Sequence, residues 1–353
     1  MSKIAIKERL VPFSHQAGVS LLLPKSSYVL SIFPTRVVFK DFFIDVGLKG
    51  LVREFTVEQD LERGRVRVFG IAKESGYFSF FLERVQEGLL LAVDRIHADV
   101  LEVRRDAWIS LARKGKHVFS LPKEDEIIPS LEKLSLGKSR KLDFDLVQKR
   151  LDLSELLPLI YRLSILVPNP GDASGGTLDL VSECEKLLAN REKVKAEEKL
   201  KELIAISFHG MLLPMLTDER HLGISLSKPS INASPIALLT RLGRLIRSLF
   251  LSEDEEGIHI LPNLLPSFHA GRLTNAATKW GTIDLEWTKK ELRRLNLHPT
   301  SSAPKTLHFP PSLRSCRLRH HPKDRGRRLN LPLHIDSSKI DSSGPLFLDR
   351  FEK

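Results

Sequence analysis

The stretch from Ser234 to Trp287 constrains the fold most, because it joins a strongly amphipathic helix to a strand-rich segment. Apolar residues recur there at helical spacing, namely Leu238, Leu239, Leu242, Leu245, Ile246 and Leu249. Ser234 and Pro235 supply an N-cap and a first-turn proline, and an acidic turn over 252–257 ends the helix. The alternation from Thr282 to Trp287 then predicts a strand. The chain therefore changes from helix to sheet here.

The first third of the chain, from about Ile4 to Arg105, is predicted to consist of short strands. Runs of β-branched, aromatic and leucine residues alternate there with glycines and prolines, which is typical of a β-sandwich. Arg65 to Gly70 alternates charged and apolar residues and is the clearest half-buried strand. The run from Phe55 to Leu61 is its expected hairpin partner. We therefore predict a β-sandwich-like domain over residues 1–120.

The middle of the chain has helical periodicity. Apolar stripes run through 144–166 and 178–208, and the mixed charges from Arg191 to Glu202 indicate an exposed helical face. After Trp287, candidate strands are separated by prolines and by a basic loop. The fold class predicted is a multidomain α+β protein. It has the N-terminal β-sandwich, a reduced α-helical middle of α/α-hairpins over 121–252, and a C-terminal β-rich domain over 253–353.

Cysteine content and hydropathy exclude several classes of protein. The 353 residues include 2 cysteines, Cys184 and Cys316, in dissimilar contexts, so neither a disulfide framework nor a thiolate metal site is expected. His320 and His321 are neighbours that would point apart on a strand, so we predict no metal site and no cofactor. No apolar run reaches membrane-spanning length and the first residues are charged, which predicts a cytoplasmic protein without a membrane span.

Much of the net charge of +11 comes from one stretch, Arg314 to Arg328. Within it, Arg325, Arg327 and Arg328 are suited to contact the phosphate-type groups of a polyanion. The stretch lacks the interleaved aromatic residues on which single-stranded nucleic acids stack, so sequence-specific recognition is not expected. One hypothesis is therefore a non-catalytic interaction protein that binds a protein partner or a polyanion here. The sequence leaves the oligomeric state open.

The segments after the acidic turn resemble the C-terminal part of six-hairpin glycosidases. The similar segments are Gly257 to Pro266, Gly271 with Arg272, and Ile283 to Trp287. They are most similar to family 95 glycoside hydrolases, the inverting α-L-fucosidase and α-L-galactosidase group. The chain departs from that pattern at Asn263 and over Ser267 to His269. The similarity covers less than a quarter of the chain. Separately, the opening from Ile6 to His15 resembles uncharacterised proteins of chlamydia-like bacteria, which implies a bacterial protein but no activity.

The glycosidase resemblance implies a protein derived from such a scaffold, with a carbohydrate as its ligand. A barrel of six helical hairpins needs on the order of three hundred residues, about three times the helical middle of this chain. No catalytic residue can therefore be transferred from the family, and the resemblance implies an incomplete active site.

If the chain is a glycoside hydrolase, inverting chemistry would need two carboxyl groups roughly 6.5–9.5 Å apart across a cleft. The catalytic candidates are Asp218 or Glu219, opposite one of Asp254 to Glu256 on the acidic turn, among which we select Glu255. Thr217 and Asp218 also form an ordinary capping pattern, so a structural role for this acidic pair stays open. Since sugar faces stack on rings, the substrate-binding candidates are His209, Trp280 and Trp287.

Overall fold

The computed structural model describes residues 4–39, 42–124, 127–138, 142–217, 226–300, 305–321, 323–335 and 344–353. Strands account for 41% of the structure and helices for 20%, so the protein is mostly β. The predicted fold class, with an α-helical middle of α/α-hairpins, is therefore wrong. Within the described residues the five helices form no clear hairpin domain, and several of them pack against strands.

The N-terminal part contains two antiparallel sheets of six strands each. In chain order the strands are β1 (Phe13–Ser14), β2 (Val19–Leu22), β3 (Val29–Phe33), β4 (Arg36–Val38), β5 (Phe43–Val46), β6 (Val52–Asp60), β7 (Arg65–Ala72), β8 (Gly76–Val85), β9 (Gly88–Ile96), β10 (Val100–Arg104), β11 (Trp108–Ala112) and β12 (Lys116–Ser120). The first sheet has the order β1-β6-β7-β8-β9-β12, and the second has the order β11-β10-β5-β4-β3-β2. Buried residues of both sheets belong to one continuous hydrophobic core.

The hairpin of β6 and β7 confirms the pairing predicted from alternation. Asp60 lies opposite Arg65, and Val66 and Val68 are fully buried while Arg65 and Arg67 are not. The turn depends on Gly64, whose φ of +72° lies in the left-handed region that favours glycine. A side-chain oxygen of Asp60 accepts hydrogen bonds from two backbone N–H groups of this turn.

The helices are α1 (Phe144–Arg150), α2 (Leu153–Ile165), α3 (Leu178–Ala189), α4 (Lys193–Ser207) and α5 (Pro235–Phe250). Ser234 caps α5 as predicted, accepting a hydrogen bond from the N–H of Ile236 at 3.3 Å. In α2 eleven of 13 residues are buried, from Leu153 to Leu163 without interruption. A helix that is buried on all sides needs cover from several elements, which one hairpin partner cannot provide. This is the physical reason that the helical middle does not stand apart from the sheets.

The remaining strands form three further sheets. They are β13 (Lys133–Ser135), β14 (Phe208–His209), β15 (Leu213–Pro214), β16 (Leu251–Glu253), β17 (Ile258–Ile260), β18 (Ala270–Thr278), β19 (Gly281–Thr288), β20 (Glu291–Pro299), β21 (Lys305–His308), β22 (Ser315–Arg319), β23 (Arg327–Asn330), β24 (Leu333–Ile335) and β25 (Leu346–Glu352). A seven-stranded sheet has the order β13-β18-β19-β20-β25-β22-β23. A four-stranded sheet has the order β16-β17-β21-β24, and β14 pairs with β15. β13 joins the C-terminal sheet although it precedes all the helices in the chain. The predicted domain boundaries at 120 and 252 stay a prediction.

The junction between α5 and the C-terminal sheet is built around Trp287. Its indole N–H donates to the carbonyl of Phe268 at 3.2 Å, and its ring stacks on Phe250 with centroids 5.1 Å apart. A Cβ at Gly271 would lie 2.2 Å from this ring, so only glycine fits there. Among the helices of the described residues, none is long and apolar enough to cross a membrane.

Candidate functional site

A cleft of about 700 Å³ lies where the turn between α3 and α4 meets the sheet of β16, β17 and β21. Its polar lining includes Arg191, Lys193, Asp254, His259 and His308. Its apolar lining includes Leu261, Pro262, Phe309, Pro310 and Pro311. The cleft therefore combines basic side chains with an apolar wall, and the acidic turn lies at its edge.

Asp254 is the carboxylate that the acidic turn contributes to the cleft. One oxygen, Oδ1, accepts the backbone N–H groups of Glu256 and Gly257 at 2.9 and 3.0 Å. The other, Oδ2, lies 2.8 Å from Nε2 of His259. Burial acts to raise the pKa of Asp254, but the hydrogen bond from Gly257 and the adjacent His259 outweigh it, so the pKa lies below its usual value. Asp254 is therefore ionised and already engaged.

The two histidines of the cleft lie side by side on parallel strands. His259 on β17 is in register with His308 on β21, and their rings stack with centroids 4.6 Å apart at an angle of 12°. Nε2 of His308 faces the carbonyl oxygen of Glu256 at 3.4 Å.

Arg191 lies in the turn between α3 and α4 in a conformation that glycine usually occupies. The N–H of Arg191 donates to Leu188 and that of Glu192 donates to Leu187, which are the two bonds of a Schellman motif. Arg191 takes the left-handed position of this motif with φ of +62°. For a residue with a side chain, this conformation costs roughly 1–2 kcal/mol. A strained residue at the lip of a cleft suggests a functional side chain.

The first turn of α4 presents positive charge to the cleft. Lys193 is its first residue, and the side chain of Glu192, at the N-cap, accepts no hydrogen bond from the described first-turn amides. Burial, with the charge of Arg191, lowers the pKa of Lys193, whose Nζ donates to the carbonyl of Pro262 at 3.3 Å. Backbone N–H groups and the helix dipole also favour an anion at this end.

The cleft contains several side chains that can donate hydrogen bonds. Arg191, Lys193, His259 and His308 can each donate to an anion, and Asp254 is the only carboxylate among the described lining residues. The described residues also contain no group of three or more histidine, cysteine, aspartate or glutamate side chains that could hold a metal ion. Inverting hydrolysis needs two opposed carboxyl groups, and the described lining residues provide one, Asp254.

Among the sequence-predicted catalytic residues, the structure describes those of the acidic turn. Asp218 and Glu219 lie outside the described residues. Glu255 is exposed on the acidic turn, and Asp254, from the same set of candidates, lines the cleft. His209 is half-buried on β14, where it pairs with Leu213 of β15.

Both tryptophans predicted to bind substrate are core residues. Trp280 is 1% exposed and Trp287 is 0% exposed, so neither ring presents a face to a ligand. We therefore propose no stacking role for them.

The three arginines predicted to bind a polyanion are exposed at the far edge of the seven-stranded sheet. Arg327 and Arg328 begin β23, and Arg325 lies in the loop before it. Arg328 forms an ion pair with Glu352. Other arginines of the stretch, Arg317 and Arg319, bind Asp349.

Sequence reasoning missed Arg191, Lys193, His259 and His308. The run from Leu178 to Phe208 was predicted as one helix, but it divides at Asn190 to Glu192. The end of α3 was hard to predict because Arg191 occupies the left-handed position after the helix, where glycine is usual. Comparison with protein-family models and with curated proteins found no match for this chain.

Proposed function

We propose that this protein binds a small anionic ligand in the cleft, and that the ligand is an acidic sugar such as a sugar phosphate. The observation that carries the proposal is that Arg191, Lys193 and the N-terminus of α4 lie on one side of the cleft. The N-cap side chain, Glu192, accepts no hydrogen bond from the described first-turn amides of this helix. His259 and His308 face the same space. Asp254 contributes one negative charge to the cleft, and Arg191 and Lys193 contribute two positive charges.

The apolar wall supports a sugar as the body of the ligand. Phe309, Pro310 and Pro311 offer C–H and ring surfaces, on which the apolar face of a pyranose can pack. The glycosidase resemblance favours the same class of ligand and stays a prediction. We propose binding rather than hydrolysis, since the cleft offers one carboxylate among its described residues. Cytoplasmic residence, expected because no apolar run reaches membrane-spanning length, also stays a prediction.

Calorimetric titration with glucose 6-phosphate, inorganic phosphate and glucose tests the proposal. Glucose 6-phosphate should bind more tightly than phosphate, and glucose should not bind measurably. Lys193→Gln should weaken glucose 6-phosphate binding about 10- to 100-fold, the loss expected for a charge-assisted hydrogen bond.

Lys195→Gln is the matched control. Lys195 lies in the same helical turn with its side chain 70% exposed, but it does not line the cleft. Equal affinity in the Lys193→Gln and Lys195→Gln variants would show that general charge, not the cleft, binds the anion. Equal affinity for phosphate and glucose 6-phosphate would contradict the sugar part of the proposal.

A second candidate function is polyanion or protein binding at the basic stretch, favoured by the exposure of Arg325 and Arg327 at a sheet edge. Charged residues on an edge strand also prevent sheets from pairing edge to edge, which is a structural role for the same residues. Retention on immobilised heparin should fall in the triple variant Arg325→Ala, Arg327→Ala, Arg328→Ala. If the salt concentration for elution is unchanged, this function is excluded.

A further inference from the structure

A row of side chains crosses the outer face of the second N-terminal sheet. Direct cross-strand pairs connect Trp108 with Arg104, Arg104 with Asp45, Asp45 with Arg36, and Arg36 with Phe33. Directly paired residues project from the same face of a sheet. The row thus spans β11, β10, β5, β4 and β3, with an aromatic residue at each end. We call it the aromatic row.

Trp108 is held so that its ring lies across the sheet. The ring reaches toward Gly47, which follows β5, since a Cβ built on Gly47 would meet Cζ3 of Trp108 at 3.3 Å. Trp108 and Gly47 are about two strand spacings apart, roughly 10 Å, so an indole that reaches this far must lie over β10. Yet 55% of Trp108 is exposed. One side of the indole therefore rests near the sheet and the other is open to solvent.

The polar side chains beside the rings are ordered and balanced in charge. Arg36 donates to Asp45 at 2.6 Å and its guanidinium lies 4.2 Å from the ring centroid of Phe43, which is 45% exposed. Arg104 lies 5.7 Å from the centroid of the Trp108 ring. Glu102 lies on the same face of β10 as Arg104. This face therefore carries two positive charges, on Arg36 and Arg104, and two negative charges, on Asp45 and Glu102. A charged polymer would gain little net attraction from such a face.

We propose that the aromatic row is a binding platform for an uncharged polysaccharide chain. The exposed rings of Trp108 and Phe33, with Phe43 beside the row, can pack on sugar rings. The arginine and carboxylate groups between them can bond to hydroxyl groups. Charge balance separates this ligand from the anionic ligand of the cleft. The platform lies on different strands from the cleft and does not depend on the function proposed for it.

Affinity electrophoresis tests the proposal with the full-length protein in native gels that contain hydroxyethyl cellulose, glycogen or galactomannan. At least one of these polymers should retard the wild type. Trp108→Ala should weaken that retardation about tenfold or more, because the largest ring of the row is lost. Trp108→Phe should retain most of it. The matched control is Leu146→Ala on α1, where Leu146 is 49% exposed but lies away from this sheet.

Quenching of tryptophan fluorescence by iodide gives an independent measurement. Trp280 and Trp287 are buried, so iodide should reach Trp108 alone among the 3 tryptophans. A polymer that retards the protein should also protect Trp108 from iodide. Absence of retardation by all three polymers, or retardation that Trp108→Ala leaves unchanged, would overturn the proposal. A sheet face that instead bound a protein partner would give the first of these results.

Discussion

At the scale of single residues, Arg191 combines backbone strain with a position at the candidate site. Its φ of +62° would suit glycine, and glycine would remove a steric cost of roughly 1–2 kcal/mol while adding about 0.5–1 kcal/mol of backbone entropy loss. We therefore predict that Arg191→Gly raises the free energy of unfolding by about 0.5–1 kcal/mol. The same change should weaken glucose 6-phosphate binding. Urea unfolding measures the stability, and calorimetric titration measures the affinity.

Lys290 provides the control for this prediction. It has φ of +63° in the turn between β19 and β20, away from the residues that line the cleft. Lys290→Gly should also stabilise the protein, but it should leave ligand affinity unchanged. If Arg191→Gly stabilises without loss of affinity, the strain at Arg191 has no connection with the ligand.

At the scale of secondary-structure elements, alternating charges cross the seven-stranded sheet. Successive cross-strand pairs join Arg272, Glu286, Arg294, Asp349 and Arg317, on β18, β19, β20, β25 and β22. Burial acts to raise the pKa values of Glu286 and Asp349. Hydrogen bonds and charges from the adjacent arginines outweigh that effect, so both pKa values lie below their usual values.

The sign of these shifts predicts how stability changes with pH. Carboxylates whose pKa is lower in the folded state contribute stability above their unfolded pKa values of about 4, and this stability is lost as the pH falls toward the folded values. Thermal midpoints should therefore be flat from about pH 7 to 5 and fall below that. Glu286→Gln should lower the free energy of unfolding at pH 7 by about 1–3 kcal/mol and reduce the slope on the acid side.

Asp172→Asn is the control, since the Asp172 side chain is 98% exposed and lies 3.6 Å from Arg244, itself 60% exposed. It should change neither the midpoint nor the acid slope measurably. An unchanged acid slope in Glu286→Gln would show that the charge row does not control acid unfolding.

Elements with local signals could be predicted from the sequence, and the site could not. The hairpin of β6 and β7 follows from alternation, and the start of α5 follows from Ser234 and Pro235. The cleft joins Arg191, His259 and His308, which are far apart in the sequence. The parallel pairing of β17 with β21 brings the two histidines together, and Arg191 comes from the turn between α3 and α4. No periodicity encodes that contact. Composition suggested ring stacking by Trp280 and Trp287, but burial makes them core residues.

At the scale of the whole molecule, the buried side chain of Arg162 on α2 connects segments that the sequence assigned to different domains. Its Nε donates to the carbonyl of Leu61 at 3.3 Å, and one terminal nitrogen donates to Ser130 at 2.6 Å and Glu132 at 3.3 Å. Burial lowers the pKa of Arg162, although the adjacent Glu62 opposes the shift. Glu132 in turn binds Arg247 of α5 at 3.0 Å. These contacts couple the N-terminal sheets to α2 and α5.

We therefore predict that the protein unfolds as one cooperative unit and that Arg162 is central to it. Arg162→Ala leaves three carbonyl groups without this donor, so it should lower the free energy of unfolding by about 2–4 kcal/mol. Circular dichroism follows all the sheets and helices, while fluorescence of a Trp108→Phe background follows Trp280 and Trp287 in the C-terminal part. The two signals should give the same unfolding midpoint in the wild type. In Arg162→Ala both midpoints should fall by the same amount. Arg244→Ala, at an exposed arginine, should shift it by less than about 0.5 kcal/mol. Separate transitions would show that the parts fold independently, because coincident signals are required of a two-state protein.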